Sequence, residues 1–253
     1  MTKRCPISLQ LYSVREEAAH DLRGVLHEVA HMGYVGVELA GDYGLPPTEW
    51  RALLDQLGLV ASSTHSALPT EANLAELVAT ARTLGYHYHV TGFGPDQYAT
   101  EELTRETAAT AQRAAELLRG SGLTLGIHNH YWEFDHSFGG RYPHEVFMEA
   151  APDVVAQVDT YWAQVAGADP AAVIRKLGPR APLLHMKDGP GDKEQAMTAV
   201  GAGIVDWPAV IAAADESVEW LIVELDSCDT DMLQAVAESY RYLTTHGFAQ
   251  GRK

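Results

Sequence analysis

Cysteine is nearly absent from this chain. Cys5 and Cys228 are its two thiols, and they form no CxxC or finger-type spacing, which argues against a disulfide framework and against a thiolate metal site. Long apolar runs are missing as well. No stretch approaches the roughly 20 residues that cross a bilayer, and the opening MTKRCPISLQLYSV holds too short an apolar segment for a secretory signal. The expectation is a cytoplasmic protein with no membrane partner. Basic residues are scarce: 18 Lys and Arg face 34 Asp and Glu, a formal charge of −16, with no Lys/Arg cluster anywhere. A phosphate backbone needs a positive stripe, so nucleic acid is not an expected partner. Nor does a glycine-rich phosphate loop follow the first apolar run, where SVREEAAHD stands, and this weighs against a doubly wound dinucleotide fold.

What is present is an alternation that lasts from end to end. Strand-like runs fall at 7–14, 34–41, 59–67, 86–93, 123–130, 154–161, 181–188 and 219–226, and helical segments from DLRGVLHEVAHM to DTDMLQAVAESYRYLTTH separate them. Gly breaks before Leu59, Tyr86 and Leu123 mark helix-to-strand handovers. Eight strand–helix pairs without a linker or low-complexity stretch predict a single (β/α)8 TIM barrel, with residues 1–253 as one domain. The long helix over 100–119 is a candidate face for a homo-oligomer.

In such a barrel the site is built at the C-terminal ends of the strands. Strand parity brings Glu38, His65, His128 with His130, Asp159, His185 with Lys187, and Glu224 with Asp226 to one mouth, while Val37, Leu39, Ile127, Val158, Leu184 and Val223 point the other way. The densest segment is GIHNHYWEFDH at 126–136. Any one of these side chains is more often an ordinary strand-end residue; a coincidence across six strands is not. Carboxylates mixed with imidazoles suit one divalent cation in a partly open site, Mn²⁺ first, with Mg²⁺, Co²⁺ and Zn²⁺ as alternatives. Trp132 and Phe134 are expected as a hydrophobic lid.

The ordered segments QLYSV, GYVGVELAG, HNHYWEF, VDTYWAQVAGADP, LLHMKD, VGAGIVDWPAV and VELD resemble the xylose isomerase-like TIM-barrel superfamily, in its sugar phosphate isomerase/epimerase branch, across residues 9–226. The resemblance implies a cation held by a Glu on strand five, an Asp on strand six, a His on strand seven and a Glu on strand eight. Asp159, His185 and Glu224 match the last three. Where many relatives carry Glu-Asn-His at the end of strand five, this chain has His128-Asn129-His130. Either His128 binds from the vacated position, or Glu133 folds back from the following loop. A hard cation gains more from a charged oxygen, so Glu133 is the expected ligand, leaving His128 to orient substrate.

The implied chemistry is isomerisation or epimerisation of a small keto-sugar by proton transfer through an enediolate. Glu224 is the proton carrier that matches the family; Glu133 and His130 are candidates for the other half, and Lys187 for steadying a substrate oxygen. Glu38, His65 and Trp162 are candidate sugar contacts. The same parts suit a lyase or dehydratase acting on 3-keto-glycosides or inososes. A DNA-repair endonuclease is opposed by the charge, and an idle sugar-binding barrel would be expected to lose its proton carriers. No Arg/Lys cluster or Gly-rich loop near the late strand ends suggests a phosphorylated substrate. The charge balance predicts no salt-sensitive gel shift with duplex DNA at micromolar protein in physiological salt.

Overall fold

The computed structural model describes residues 5–214 and 216–252; residues 1–4, 215 and 253 of the expected domain lie outside the described residues. Strands and helices alternate in the order β1 (Cys5–Gln10), α1 (Arg15–Met32), β2 (Gly36–Leu39), α2 (Pro47–Leu57), β3 (Val60–His65), α3 (Leu74–Leu84), β4 (Tyr88–Thr91) and α4 (Glu101–Leu117). They continue through β5 (Thr124–His128), α5 (Pro143–Ala150), β6 (Val155–Asp159), α6 (Thr160–Val165), α7 (Pro170–Leu177), β7 (Leu183–Met186), α8 (Trp207–Ala213), β8 (Trp220–Val223), α9 (Met232–Thr245) and β9 (Ala249–Gln250). Neighbouring strands are parallel, and β1 pairs with both β2 and β8, so β1–β8 close into a (β/α)8 barrel. The short β9 adds to β1 by pairing Cys5 with Ala249.

Each predicted strand overlaps an observed one; seven of the eight are trimmed at their ends, while β1 starts at Cys5, two residues before the predicted run, and stops at Gln10. The glycine breaks behave as expected for two helices: Gly58 and Gly85 close α2 and α3 in the left-handed conformation, which costs a glycine nothing sterically. Two helical features differ from the sequence reading. The first helix begins at Arg15, and the expected start, Asp21, is instead a kink with φ −147° and ψ 77° whose Oδ1 accepts the Gly24 N–H. The six-residue α6 takes its first two residues, Thr160 and Tyr161, from the end of the predicted strand; Asp159 ends β6 and caps α6 at once, its Oδ1 accepting from Trp162 N at 2.8 Å.

Alternation sorts the strand side chains into two populations. Val37, Leu39, Ile127, Val158, Leu184 and Val223 join the large core between sheet and helices. Val90, Leu183 and Ile222, with Tyr88 and Trp220 against them, form a separate small cluster. Residues of the opposite parity at the next level, Gln10, Glu38, Ser63, Gln157 and His185, are polar, and all are 1% exposed or less. The barrel is therefore apolar around the outside of its sheet and polar toward the strand C-termini inside it, which is where a site is supported.

Past β7, Asp188 organises the long connection to α8. It is fully buried and accepts from the backbone N–H groups of Gly189, Gly201 and Val205 and from the indole Nε1 of Trp207, at 2.8 to 3.2 Å. Removing that acceptor strands several buried donors, each costing about 1–3 kcal/mol. Asp188→Ala should lower the unfolding free energy by roughly 3 kcal/mol or more, measured as a shift of the urea midpoint.

Candidate active site

Five side chains meet at the deepest polar layer. Glu38, from the end of β2, accepts hydrogen bonds from Gln10 Nε2, Ser63 Oγ, Gln157 Nε2 (2.6 Å) and His185 Nε2 (2.9 Å). Burial alone would push its carboxyl up, but the charge and hydrogen bond of His185, with the charge of His65 and the Ser63 hydroxyl, more than offset this and hold it below the ordinary range. His185 lies between two acids, its Nδ1 2.8 Å from Glu224 Oε2. Its own burial disfavours the charged ring, yet Glu224 and Glu38 raise it to about 10. Gln157 Oε1 lies 3.1 Å from His128 Nδ1.

Directly above this layer, one ligand atom from each of His128, Asp159, His185 and Glu224 lies within 4.8 Å of the other three, and all four residues are buried. His128 Nε2 is 3.8 Å from Asp159 Oδ2. That oxygen accepts no well-aligned hydrogen bond among the described residues, its close charged partner being the Lys187 ammonium at 3.0 Å. Burial pushes the Asp159 carboxyl up to about 6 in spite of Lys187 and His185. Two buried carboxylates and two imidazoles whose ligand atoms lie this close together form a donor set that fits a divalent cation, with Asp159 Oδ2 offset by an ammonium contact and not by a well-aligned hydrogen bond. β6 and β7 set this grouping, because Asp159 and His185 are register partners. Asn129 reinforces it: its side chain accepts from Asp159 N at 2.9 Å and donates to Asp159 O at 3.2 Å, carrying the β5–β6 pairing past the strand end.

Lys187 is 1% exposed and supplies the compensating charge. Its Nζ lies 3.0 Å from Asp159 Oδ2, 2.9 Å from Glu224 Oε2 and 3.0 Å from Asp226 Oδ2. Burial opposes the ammonium, but the three carboxylates outweigh it and raise it well above the usual lysine range. For Glu224, burial raises and Lys187 and His185 lower; the balance holds it well below the ordinary carboxylate range.

A cavity of about 510 Å³ opens above the group, and its lining includes His65, His130, Trp132, Trp162, Lys187 and Glu224. The His130 ring stacks on Trp132 at 4.1 Å and 13°. Burial, with Lys187 next, lowers His130 to about 3, so it is a neutral imidazole at neutral pH. Trp132 is held by its Nε1 donating to Phe93 O at 3.2 Å, and Lys187 Nζ stands 5.5 Å from the Trp162 ring centre.

The structure brings together most of the residues singled out in the sequence and separates three. Glu133 is outside the grouped ligand atoms, and the fourth position belongs to His128. The acid does turn inward, but it stops beneath its own loop: it is 1% exposed, with Oε2 accepting from His130 N at 2.9 Å. Burial raises its carboxyl well above the ordinary range, against the His130 and Glu133 backbone N–H groups. Glu38, expected to touch sugar, is beneath the ligand layer with all its contacts to protein. Phe134 is no lid, since it packs with Ala163 and Ala168 on the far side of the loop. The sequence reading missed Gln10, Ser63, Asn129 and Gln157. The available signal was parity, since Gln157 stands two residues before Asp159 and so faces the same way.

The profile of the family described as xylose isomerase-like TIM barrel matches residues 26–246. Among solved structures, a sugar phosphate isomerase/epimerase from Parabacteroides distasonis is 24% identical over 98% of this chain and 96% of its own, with a TM-score of 0.79. A second sugar phosphate isomerase/epimerase from the same organism is 20% identical, covering 97% and 100%, with a TM-score of 0.82. The probable 3-DHS dehydratase of petrobactin synthesis from Bacillus anthracis is 13% identical over 94% and 98%, at 0.75. At these identities the likeness concerns the fold. No protein of curated function matches the sequence.

The grouping predicts that Asp159→Ala abolishes stoichiometric Mn²⁺ or Co²⁺ uptake, measured by elemental analysis after gel filtration, while circular dichroism keeps the wild-type spectrum. Full occupancy in that variant would remove Asp159 from the centre.

Proposed function

Because the chain belongs to the xylose isomerase-like TIM-barrel family, we propose that it is a divalent-metal-dependent isomerase or epimerase of a small unphosphorylated keto-sugar. The observation that carries this reading is the His128–Asp159–His185–Glu224 group under a cavity whose walls also hold a neutral imidazole, His130. A cation bound there would act as a Lewis acid toward charge developing on a substrate carbonyl oxygen. Two nitrogens and two carboxylates favour Mn²⁺, Co²⁺ or Zn²⁺ over Mg²⁺, which prefers an all-oxygen shell.

The remaining work falls to this chain's own side chains. His130 is uncharged and stacked on Trp132, and its Nδ1 has no hydrogen-bond partner among the described residues; burial leaves it a weak base, so it would take a proton only as negative charge develops on a substrate beside it. Glu224 presents a carboxylate from β8, and Glu133 acts one step back by holding the His130 backbone. Lys187, buried against Asp159 and Glu224, favours their ionised forms. Among the described residues lining the cavity Lys187 alone is cationic, and it is already paired with three acids. Two other cations, Arg15 and Lys193, stand outside the lining over the rings of Tyr12 and Tyr131, so the wall itself offers no free cation to a phosphate. The indole faces of Trp132 and Trp162 suit the apolar face of a sugar ring.

A lyase reading on 3-keto-glycosides draws support from one feature. Tyr12, Tyr131, Trp132 and Trp162 all line the cavity, more aromatic surface than a single pentose or hexose would cover.

The test is C–H exchange followed by NMR in D₂O, with Mn²⁺-loaded protein and a panel of free ketoses and 3-keto-glycosides. Exchange with an intact product identifies an isomerase or epimerase, and release of an aglycone identifies the lyase. His130→Asn should slow exchange about a hundredfold or more while Mn²⁺ uptake stays at the wild-type level. Exchange at the wild-type rate in that variant would take the proton-carrying role away from His130.

A further inference from the structure

We propose that Glu38 and Gln157 are positioning residues that impose one tautomer on each imidazole of the centre, so that His128 offers Nε2 and His185 offers Nδ1 to a cation. The inference rests on the reading of His128, Asp159, His185 and Glu224 as a cation site.

The argument is one of donor and acceptor matching. An ionised carboxylate can only accept. The Gln157 atom 2.6 Å from Glu38 Oε2 must therefore be the amide nitrogen, because a flipped amide would set two oxygens against each other at that distance. With the nitrogen committed to Glu38, Gln157 Oε1 is the atom that faces His128 Nδ1 at 3.1 Å. That ring nitrogen has to carry the proton, which leaves the Nε2 lone pair free on the side of Asp159 Oδ2. On the other branch, Glu38 Oε1 holds the Nε2–H of His185 at 2.9 Å, so the proton that a cation would displace is the one on Nδ1, which Glu224 Oε2 accepts at 2.8 Å in its absence.

Glu38 itself cannot turn away from this task. Each of its oxygens accepts twice, Oε1 from Gln10 and His185 and Oε2 from Ser63 and Gln157. Gln10 is locked in turn by its Oε1 accepting the Tyr12 N–H at 3.1 Å. The network is nearly sealed from solvent, with His128 at 3% and the others at 1% or less, so water does not offer the imidazoles an alternative partner.

The identity of residue 157 follows from the same logic. An imidazole on β5 needs an acceptor behind Nδ1. A carboxylate at position 157 would provide one, but it would also lie against Glu38 and add a second buried negative charge. A glutamine accepts from His128 and donates to Glu38 without adding charge. One carboxylate thus orients both rings, the first directly and the second through a neutral amide.

Long-range ¹H–¹⁵N spectra of the metal-free protein, with His128 assigned through His128→Asn, read the tautomer directly, and Co²⁺ titration reads its consequence. The wild-type protein should show His128 protonated at Nδ1. Gln157→Met, close in shape but unable to accept as strongly, should lose that preference and weaken Co²⁺ binding about 10- to 100-fold, with a changed visible spectrum. Glu38→Gln should disturb both rings and weaken binding at least as much. Ser8→Ala, which removes a buried hydroxyl in the same barrel interior bonded to Ser62 and not to Glu38, should bind as the wild type does. His128 protonated at Nε2 in the wild type, or wild-type Co²⁺ affinity in folded Gln157→Met and Glu38→Gln, would overturn the relay. A wild-type protein with the expected tautomer that takes up no Co²⁺ would instead overturn the cation site.

Discussion

A carboxylate sealed from water has to be surrounded by donors, and Glu38 is the position from which the rest of this interior is arranged. The transfer of an ionised acid into a low-dielectric space is so unfavourable that the group either neutralises or collects partners. Here it collects them from β1, β3, β6 and β7. Those four contacts fix the amides of Gln10 and Gln157 and the rings of His185 and, through Gln157, His128. Geometry at the mouth of the barrel is thereby decided one layer below it.

The same requirement for compensation governs the ligand layer. Asp159, Glu224 and Asp226 bring negative charge to one side of the mouth, and Lys187 is buried among them with contacts of about 3 Å to each. Along with the His185 ring, whose charged form Glu38 and Glu224 favour, it favours the ionised forms of Asp159 and Glu224. Lys187, held by three carboxylates, is thus not a free cation in the cavity wall, whose remaining surface is largely aromatic.

The β5 segment shows how chemistry and backbone share residues. His128 points into the ligand group, Asn129 ties the strand end to Asp159, His130 enters the cavity, and Glu133 turns under the loop to hold His130 by its N–H. Replacing a carboxylate with an imidazole at this strand end lowers the negative charge of the group, and the partner that makes it workable comes from the adjacent strand as a neutral amide.

Much of this was legible in the sequence because it depends on local periodicity. Period-two alternation ending at Asp159, His185 and Glu224, and the glycine closures at 58 and 85, are set within a few residues of chain, and they gave the barrel, its polar mouth and the side each residue faces. What the sequence could not decide was depth and partnership. Parity aimed both Glu38 and His65 inward, but only the stagger of the closed sheet puts Glu38 beneath the ligands and His65 on the cavity wall. Charge argued for Glu133 as the missing ligand, since an acid binds a hard cation better than a neutral ring; the fold buried that acid behind His130 and left the position to His128. The contacts that set these depths, Gln157 to Glu38 and Glu38 to His185, join residues 119 and 147 positions apart. No local pattern encodes such pairs, because they exist only once the barrel has closed.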